Sequence, residues 1–388
     1  MLNKKLQILI LFLSISIFTM AQYPICGAER TEKYFPTLEG KKIGIVANQT
    51  SLIKQVHLVD SLLNADFQIC KVFAPEHGFR GNAEAGAHIN NEFDAKTKLP
   101  IISLHGSSKK PEAKDLKGID ILVFDIQDVG LRFYTYVSTL AYVMEACAEN
   151  NIPLLILDRP NPNAHYIDGP VLENEFKSFV GLLPIPVVYG MTLGEMALMI
   201  NGEKWLNNGI RCDVNVIPVE NYTHQTLVSL PIAPSPNLPN DNAIALYSSL
   251  CFFEGTNTSI GRGTDFPFEV IAYPDYPLKD FSFVPKQIPG KSETPPFKNQ
   301  ICYGVDLRNL YSAENRIYKI DLQYLIDFYK SYPDKSTFFI DYFNLLAGNN
   351  KLQAQIKAGL NESEIRESWK NDLAAFKLKR LNYLIYND

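Results

Sequence analysis

The fold is decided by residues 119–158, which read IDILVFDIQDVGLRFYTYVSTLAYVMEACAENNIPLLILD. Residues 119–126 form an apolar run with the length of a buried strand, and residues 153–158 form a second such run. Between them, apolar side chains recur at helical spacing, at Tyr136, Leu140, Val143 and Cys147. A helix between two strands that are apolar on both faces is typical of a parallel sheet covered by helices, so this stretch predicts an α/β fold.

The same alternation of strands and helices extends to both sides of this stretch. Further strands are predicted at residues 42–47, 67–74, 99–104 and 213–219. An amphipathic helix is predicted over residues 57–65. Thr192, with Glu195 three residues later, predicts a capped helix that ends near Gly202. We therefore expect one mostly parallel sheet in the first half of the chain.

A proline-rich segment separates this half from the rest. Residues 231–239 (PIAPSPNLP) carry four prolines and resist any regular element. We place a domain boundary just beyond them, which predicts domains at residues 22–241 and 242–388. Gly359 and Asn361 predict the end of one helix and the cap of the next. Helices of the second domain are predicted at residues 322–329, 351–357 and 363–381.

The first 21 residues predict an export signal rather than part of the fold. Two lysines precede an apolar run over residues 6–18, and small residues at positions 19 and 21 fit cleavage after Ala21. A lipidated Cys26 is disfavoured because no small residue directly precedes it. No later stretch approaches the ~20 apolar residues that a membrane span needs. We expect a periplasmic or secreted protein with no membrane span in the mature chain.

The composition argues against several classes of protein. Of 388 residues, 46% are hydrophobic and 20% are charged, which excludes a disordered or collagen-like chain. The formal net charge of −5 argues against nucleic acid as a partner. The sequence contains no GxxxxGK[ST], GxGxxG, HExxH or GxSxG motif. We therefore predict no nucleotide cofactor, no zinc peptidase site and no α/β-hydrolase triad.

The six cysteines are widely scattered and form no CxxC pair. This spacing disfavours a zinc ribbon or a thioredoxin-like site, and no metal site is predicted. Cys70 and Cys147 lie within apolar patterns and are predicted to be buried thiols. An oxidising compartment would permit one disulfide, whose pairing the sequence does not specify.

Three clusters of polar residues directly follow predicted strands. They are residues 75–81 (PEHGFRG), 125–130 (DIQDVG) and 158–162 (DRPNP). In open α/β sheets, ligands bind beyond the carboxyl ends of the strands, and these ends meet at one edge of the sheet. We therefore expect the three clusters to converge on one site.

Within these clusters, Glu76 is the strongest candidate for chemistry. It is either a general acid whose pKa is raised in a partly closed pocket, or a loop glutamate that pairs with Arg80 or caps a helix. His77 is expected to form structural hydrogen bonds, with a role as a base or sugar contact as the alternative. Asp125 and Asp128 could each be a second carboxylate, a metal ligand, or a cap or turn former. For Asp128, which precedes Val-Gly, a turn is favoured.

A glycine-rich loop opens the second half, at residues 252–269 (FFEGTNTSIGRGTDFPFE). Backbone of this kind binds anions, and Arg262 would offer a planar fork to a carboxylate. The alternative is a plain turn with a solvated Arg262. Glu269 either belongs to the same cleft or caps a strand.

Six long motifs occur in a fixed order: PEHGFRG (75–81), FDIQDVGLRFYTYVSTL (124–140), LDRPNPN (157–163), VVYGMTLGEMA (187–197), PSPNLP (234–239) and residues 252–269. In this order they resemble the exo-β-N-acetylmuramidase family of the NamZ type, from about Glu39 to the C-terminus. The resemblance implies a Rossmann-like catalytic domain with a mostly parallel sheet, a smaller α+β C-terminal domain, and an active site between them. It also implies an exo-acting glycosidase that releases N-acetylmuramic acid from the non-reducing ends of peptidoglycan fragments during cell-wall turnover.

The resemblance also implies which residues act. Glu76 is expected to be the catalytic acid. Asp125 and Glu269 are candidates for a second carboxylate, and Glu254 is a weaker one. The candidate sugar contacts are His77, Arg80, Gln127, Arg132, Tyr134, Asp158, Asn161, Asn237, Glu254, Asn257 and Arg262.

The mechanism and the exact function stay open on the sequence. An arginine such as Arg262 or Arg132 would meet the carboxylate of the substrate's lactyl ether. Hydrolysis would use a second carboxylate or the 2-acetamido group of the sugar itself. A non-catalytic periplasmic protein that binds muropeptides or sugars would not need Glu76. A metal-dependent peptidase or phosphatase would lose its activity with a chelator.

Overall fold

The structure is a computed structural model that describes residues 23–76, 78–80, 92–106 and 108–388. The predicted signal segment and His77 lie outside these residues. The described residues form twelve strands. These are β1 (Ile43–Ala47), β2 (Leu52–Ile53), β3 (Val56–His57), β4 (Ile69–Ala74), β5 (Glu92–Phe93), β6 (Pro100–Ser103), β7 (Ile121–Asp125), β8 (Leu154–Leu157), β9 (Val214–Ile217), β10 (Val270–Tyr273), β11 (Ser282–Phe283) and β12 (Cys302–Asp306).

Seven of the strands form the main sheet, in the order β5–β6–β4–β1–β7–β8–β9. Every neighbouring pair from β6 to β9 is parallel, and only β5 pairs antiparallel, with β6. All five residues of β1 and all five of β7 are buried, as expected for strands covered on both faces. The predicted, mostly parallel α/β fold is confirmed.

The strand order reverses at the centre of this sheet. From β1 the chain moves outward to β4 and β6, and it then returns to β7 on the other side of β1 before it continues to β8 and β9. Ligands of open α/β sheets bind at the carboxyl edge near such a reversal. The loops that follow β4 and β7 therefore lie where a site is expected.

Twelve α-helices accompany the strands in the described part of the chain. They are α1 (Thr31–Leu38), α2 (Leu58–Asn64), α3 (Ala113–Leu116), α4 (Tyr136–Asn150), α5 (Leu193–Gly202), α6 (Asp241–Leu250), α7 (Gln323–Ser331), α8 (Lys335–Phe338), α9 (Tyr342–Ala347), α10 (Lys351–Lys357), α11 (Glu362–Glu367) and α12 (Lys370–Arg380). No helix among the described residues is long and apolar enough to cross a membrane.

Two helix starts follow the local chemistry that the sequence predicts. Thr192 caps α5 by accepting from the Glu195 amide, and the Glu195 carboxylate accepts from the Thr192 amide in return. Asn361 and Glu364 form the same reciprocal pair at the start of α11. Both predicted caps are confirmed.

The C-terminal part is smaller and mixes helices with a three-stranded antiparallel sheet in the order β10–β12–β11. The prediction of one helix over residues 363–381 is wrong, because the helix is interrupted between α11 and α12. Between the two helices, the Ser368 hydroxyl donates to the Ile365 carbonyl. The next residue, Trp369, packs into the core with only 5% exposure. The predicted boundary at 241/242 stays a prediction.

One large hydrophobic core contains side chains from both parts of the chain, including those of α4, α5 and α6. All six cysteines are free thiols. Cys147 is buried in this core, whereas Cys70 is only half-buried. The prediction of a buried thiol therefore holds for Cys147 alone.

Candidate active site

A cleft of about 380 Å³ lies at the carboxyl edge of the main sheet. Glu76 reaches it from the loop after β4, and residues 133–136 reach it from the segment between β7 and α4. The C-terminal part contributes Glu254, Arg262 and Tyr342. The remaining lining residues are Val180, Ser235, Asn237, Leu238, Tyr247, Phe268, Ser292 and Thr294. The cleft thus joins Glu76 of the first predicted cluster with the glycine-rich loop and with residues that follow the second cluster. Residues 125–130 and 158–162 do not line it, so the prediction that all three clusters converge on one site is wrong.

Glu76 is held at both its side chain and its backbone by the start of α4. The Thr135 hydroxyl donates to Glu76 Oε2 at 3.1 Å, and the Tyr136 hydroxyl donates to the Glu76 carbonyl at 3.3 Å. The Asn48 amide in turn donates to the Tyr136 hydroxyl at 2.9 Å. The carboxylate is therefore fixed in the cleft while remaining partly exposed to it.

A second carboxylate, Glu254, faces the same cleft and is bound by an arginine. Arg262 donates from Nε to Glu254 Oε1 at 2.8 Å, and its Nη2 lies 2.6 Å from the same oxygen in an ion pair. The Arg262 side chain is 21% exposed, and its guanidinium lies 5.1 Å from the centre of the Phe268 ring. Burial alone would lower the pKa of Arg262, but the nearby Glu254 outweighs burial and the pKa is raised. The cation is thus permanently charged and accessible from the cleft.

Aromatic rings form much of the cleft wall. Tyr134 lies edge-on to Tyr136 and to Tyr247, and its hydroxyl donates to the Pro234 carbonyl at 2.7 Å. Tyr342 comes from α9 in the C-terminal part and is 37% exposed. Flat apolar faces beside polar groups suit a sugar ring, which presents both C–H faces and hydroxyl edges.

Asn237, another predicted sugar contact, also lines the cleft. Its side-chain amide donates to the Lys291 carbonyl at 3.0 Å, which leaves the amide oxygen as a possible acceptor for a ligand. Five predicted residues are therefore brought together: Glu76, Tyr134, Asn237, Glu254 and Arg262.

Asp125, predicted as a second catalytic carboxylate, lies outside the cleft lining. It is fully buried and forms a two-pronged ion pair with Arg159, at 2.5 and 2.9 Å. Burial alone would lower the pKa of Arg159, but Asp125 reverses the effect and the pKa is raised. Gln127 and Arg159 line a neighbouring cavity of about 470 Å³, and the Gln127 amide donates to the carbonyls of Asp128 and Pro160.

Arg132, a predicted sugar contact, is completely buried. Its guanidinium donates to the carbonyls of Pro170 and Ile185 and to those of Leu346 and Ala347 at the end of α9. Burial lowers the pKa of Arg132 to about 9. This arginine ties the C-terminal part to the N-terminal part and does not line the cleft.

Asp158 and Asn161 organise the loop after β8 and do not line the cleft. Asp158 accepts from the Thr192 hydroxyl, the Gly194 amide and the Tyr386 hydroxyl, and burial raises its pKa to about 6. The Asn161 amide donates to the Met191 carbonyl at 2.8 Å. Both residues therefore anchor the start of α5 and its neighbours.

Three further candidates also lie away from the cleft lining. Arg80 pairs with the carboxylates of Asp60 and Asp94. The exposed Asn257 donates to a backbone carbonyl, that of Thr337. Glu269 accepts from the side-chain amides of Asn240 and Asn242, at 3.1 and 2.8 Å.

The alternatives for Asp128 are also resolved by its contacts. Its carboxylate accepts from the Gly130 amide at 2.7 Å, so the predicted turn is confirmed. No group of three or more histidine, cysteine or acidic side chains among the described residues could hold a metal ion.

Sequence reasoning missed four side chains of the cleft that matter for its shape: Thr135, Tyr136, Tyr247 and Tyr342. Thr135 and Tyr136 stand directly beside Tyr134 in the FYTY stretch, so that motif could have drawn attention to them. Tyr247 and Tyr342 lie in helical patterns without any motif, and only the packing of α6 and α9 brings them to the site.

The carboxyl edge of the parallel sheet carries two glutamates, an arginine and several tyrosines in one cleft. This set of side chains is more typical of a glycoside hydrolase than of a metal or nucleotide enzyme. Comparison with known proteins specifies the type. The chain belongs to the exo-β-N-acetylmuramidase NamZ family, whose N-terminal model matches residues 43–242 and whose C-terminal model matches residues 245–386. The predicted family and the predicted enzyme class, a glycosidase, are confirmed.

Individual relatives support this membership. The chain is 39% identical over 373 residues to the peptidoglycan β-N-acetylmuramidase NamZ of Bacillus subtilis (strain 168), covering 91% of this chain and 89% of that protein. Two crystal structures of DUF1343 family proteins from Bacteroides fragilis NCTC 9343 share the fold. One has a TM-score of 0.87 at 48% identity and covers 95% of this chain and 100% of its own. The other has a TM-score of 0.81 at 29% identity and covers 94% and 99%.

Proposed function

We propose that this protein hydrolyses the glycosidic bond of N-acetylmuramic acid at the non-reducing ends of peptidoglycan fragments. The observation that carries the proposal is the cleft in which Glu76, Glu254 and Arg262 lie together, in a chain of this family. A more open groove of about 710 Å³ on α11 and α12 shares no lining residue with the cleft. We assign the reaction to the smaller cleft because it holds the paired carboxylates and the aromatic walls.

The two glutamates supply the groups that glycoside hydrolysis needs. Most glycosidases use one carboxyl group to protonate the leaving oxygen and a second one as nucleophile or base. Glu76 is the proposed acid. Glu254 replaces Asp125 and Glu269 as the proposed second carboxylate, because it lines the cleft and they do not. If the 2-acetamido group of the substrate is the nucleophile, Glu254 orients that group instead.

Arg262 would explain a preference of the cleft for N-acetylmuramic acid over N-acetylglucosamine. The two sugars differ by a lactyl ether, which carries a carboxylate. Arg262 uses Nε and Nη2 on Glu254, and its remaining nitrogen, Nη1, can donate to that carboxylate. Arg132 is not a candidate for this role because its guanidinium is buried among backbone carbonyls.

The proposed substrate also indicates where in the cell this protein acts. Peptidoglycan lies outside the cytoplasmic membrane, and the N-terminal 21 residues have the pattern of a cleaved export signal. We therefore propose a periplasmic or secreted enzyme of cell-wall turnover. Mass spectrometry of the protein isolated from its host would test this, since a chain that begins at Gln22 is expected and a chain that retains Met1 would contradict export by cleavage.

The activity is tested with 4-nitrophenyl β-N-acetylmuramide, with the corresponding N-acetylglucosaminide as the comparison substrate. We expect release of nitrophenol from the first and at least 100-fold less from the second. With a disaccharide fragment as substrate, whose leaving sugar oxygen needs a proton, Glu76→Gln should lose at least 100-fold in kcat, the range of general acid catalysis. The loss should be smaller with the nitrophenyl substrate, because nitrophenolate leaves readily without a proton. A chelator should leave the rate unchanged, and inhibition by a chelator would favour a metal enzyme.

Two outcomes separate the alternatives. Wild-type protein that binds N-acetylmuramic acid in calorimetry but releases no nitrophenol would be a binding protein, and the hydrolase proposal would be wrong. An active Glu76→Gln variant would instead contradict only the role of Glu76.

A further inference from the structure

Thr135 stands at the start of α4 but does not serve its own helix. It is the N-cap residue, the position where threonine usually accepts a hydrogen bond from a backbone amide of the first turn, yet its side chain makes no such bond. The hydroxyl instead donates to Glu76 Oε2 at 3.1 Å. Thr135 is only 8% exposed and lines the cleft.

The neighbouring Tyr136 fixes the other end of the same glutamate. Its hydroxyl donates to the Glu76 carbonyl and receives a hydrogen bond from Asn48, which follows β1. The N-cap residue and the first residue of one 15-residue helix thus hold the carboxyl group and the backbone of Glu76. We propose that Thr135 is a positioning residue that keeps the Glu76 carboxyl group aimed at the glycosidic oxygen.

A hydroxyl suits this role because the proton of the acid leaves and returns in each turnover. Thr135 can donate to the ionised carboxylate and can accept from the protonated carboxyl group, so one side chain orients Glu76 in both states. Valine has nearly the same shape and can do neither. The helix does not lose a cap on substitution, since the hydroxyl does not cap it.

The proposal rests on the proposed function, and kinetics of the wild type and five variants test the two separately. Thr135→Val should lower kcat about 10- to 100-fold while KM changes less than about 3-fold, because the carboxyl group is misaimed and the sugar contacts remain. Thr135→Ser, which keeps the hydroxyl, should stay within about 3-fold of the wild type. Thr135→Ala provides a second loss of the hydroxyl should the valine methyl group disturb the cleft.

Thr139→Val is the matched control. Thr139 lies one turn further along α4, is also buried, and donates its hydroxyl to the Thr135 backbone carbonyl rather than to Glu76. We expect its kcat to equal that of the wild type, and equal thermal unfolding midpoints for all folded variants. If Glu76→Gln is inactive while Thr135→Val and Thr135→Ala turn over like the wild type, Thr135 has no positioning role. A loss in Thr139→Val as large as in Thr135→Val would also overturn the proposal. A wild-type protein that releases no nitrophenol would contradict the proposed function itself, and an active Glu76→Gln would contradict the role of Glu76 as the acid and, with it, the role of Thr135.

Discussion

Replacing Arg132 by methionine tests whether this residue joins the two parts of the chain or contacts the sugar. The guanidinium is fully buried and donates four hydrogen bonds of 2.8–3.0 Å to carbonyl oxygens. Two acceptors, Pro170 and Ile185, belong to the N-terminal part, and two, Leu346 and Ala347, end α9. Methionine fills much of the same volume but leaves all four carbonyls without this donor.

The cost follows from the balance between these bonds and the burial of the charge. A buried carbonyl that loses its donor typically costs about 1–3 kcal/mol of unfolding free energy. The buried charge itself is unfavourable here, since burial lowers the pKa of Arg132 to about 9, and its removal offsets part of the loss. We therefore expect Arg132→Met to lower the free energy of unfolding by about 3 kcal/mol, well below the sum for four unsatisfied carbonyls.

Urea unfolding followed by circular dichroism measures the stability, and nitrophenol release from the muramide measures catalysis. Arg262→Met is the matched control because Arg262 lines the cleft and is partly exposed. The two variants should behave oppositely. Arg132→Met should lose stability and keep the KM of its folded fraction, whereas Arg262→Met should keep its stability within about 1 kcal/mol and raise KM. An Arg132→Met variant with unchanged stability and a raised KM would refute the structural role.

Three further substitutions test other parts of the site. Glu254→Gln should lose at least 100-fold in kcat, whereas Glu269→Gln should retain the wild-type rate, because only the first carboxylate lines the cleft; equal losses in both would contradict this assignment. Asp125→Asn should lower the free energy of unfolding by about 3–5 kcal/mol, because Arg159 would remain buried without its anion. A urea midpoint equal to that of the wild type would contradict the expected loss. Burial raises the pKa of Asp128 to about 7, so the folded protein keeps a proton that the unfolded chain releases near pH 4. Stability should therefore fall as the pH rises from about 4 to about 7, and this slope should be weaker in Asp128→Asn; equal slopes by urea unfolding would show that Asp128 is not its source.

The sheet could be predicted from the sequence because its strands are buried on both faces. Residues 119–126 and 153–158 are apolar runs bounded by polar residues, and β7 and β8 lie within them. Such runs carry their own signal, since no solvent-facing side interrupts them. The strands β5 and β11 were not predicted individually, because two residues leave too little pattern to detect. The longer strands β10 and β12 of the C-terminal sheet were not predicted either.

The site could be predicted only in part. Parallel strands bring polar residues to one edge of the sheet, but the sequence does not show which of these residues face a cavity. Glu76, after β4, faces the cleft, whereas Asp125, at the end of β7, turns toward Arg159. A buried carboxylate beside a buried guanidinium pairs with it, because either charge alone would be costly in that environment. The sequence places Asp125 and Arg159 34 residues apart and gives no sign of this pairing.

The charges of the cleft connect its choice of substrate with its chemistry. Among the described residues that line it, Glu76, Glu254 and Arg262 are charged, so with both glutamates ionised the cleft carries one net negative charge. An anionic sugar would then meet repulsion in a chain whose overall charge is already −5. Hydrolysis, however, needs one of the two carboxyl groups in its protonated form. With that proton in place the three side chains sum to zero, and we expect Arg262 to attract the lactyl carboxylate without net repulsion from the cleft.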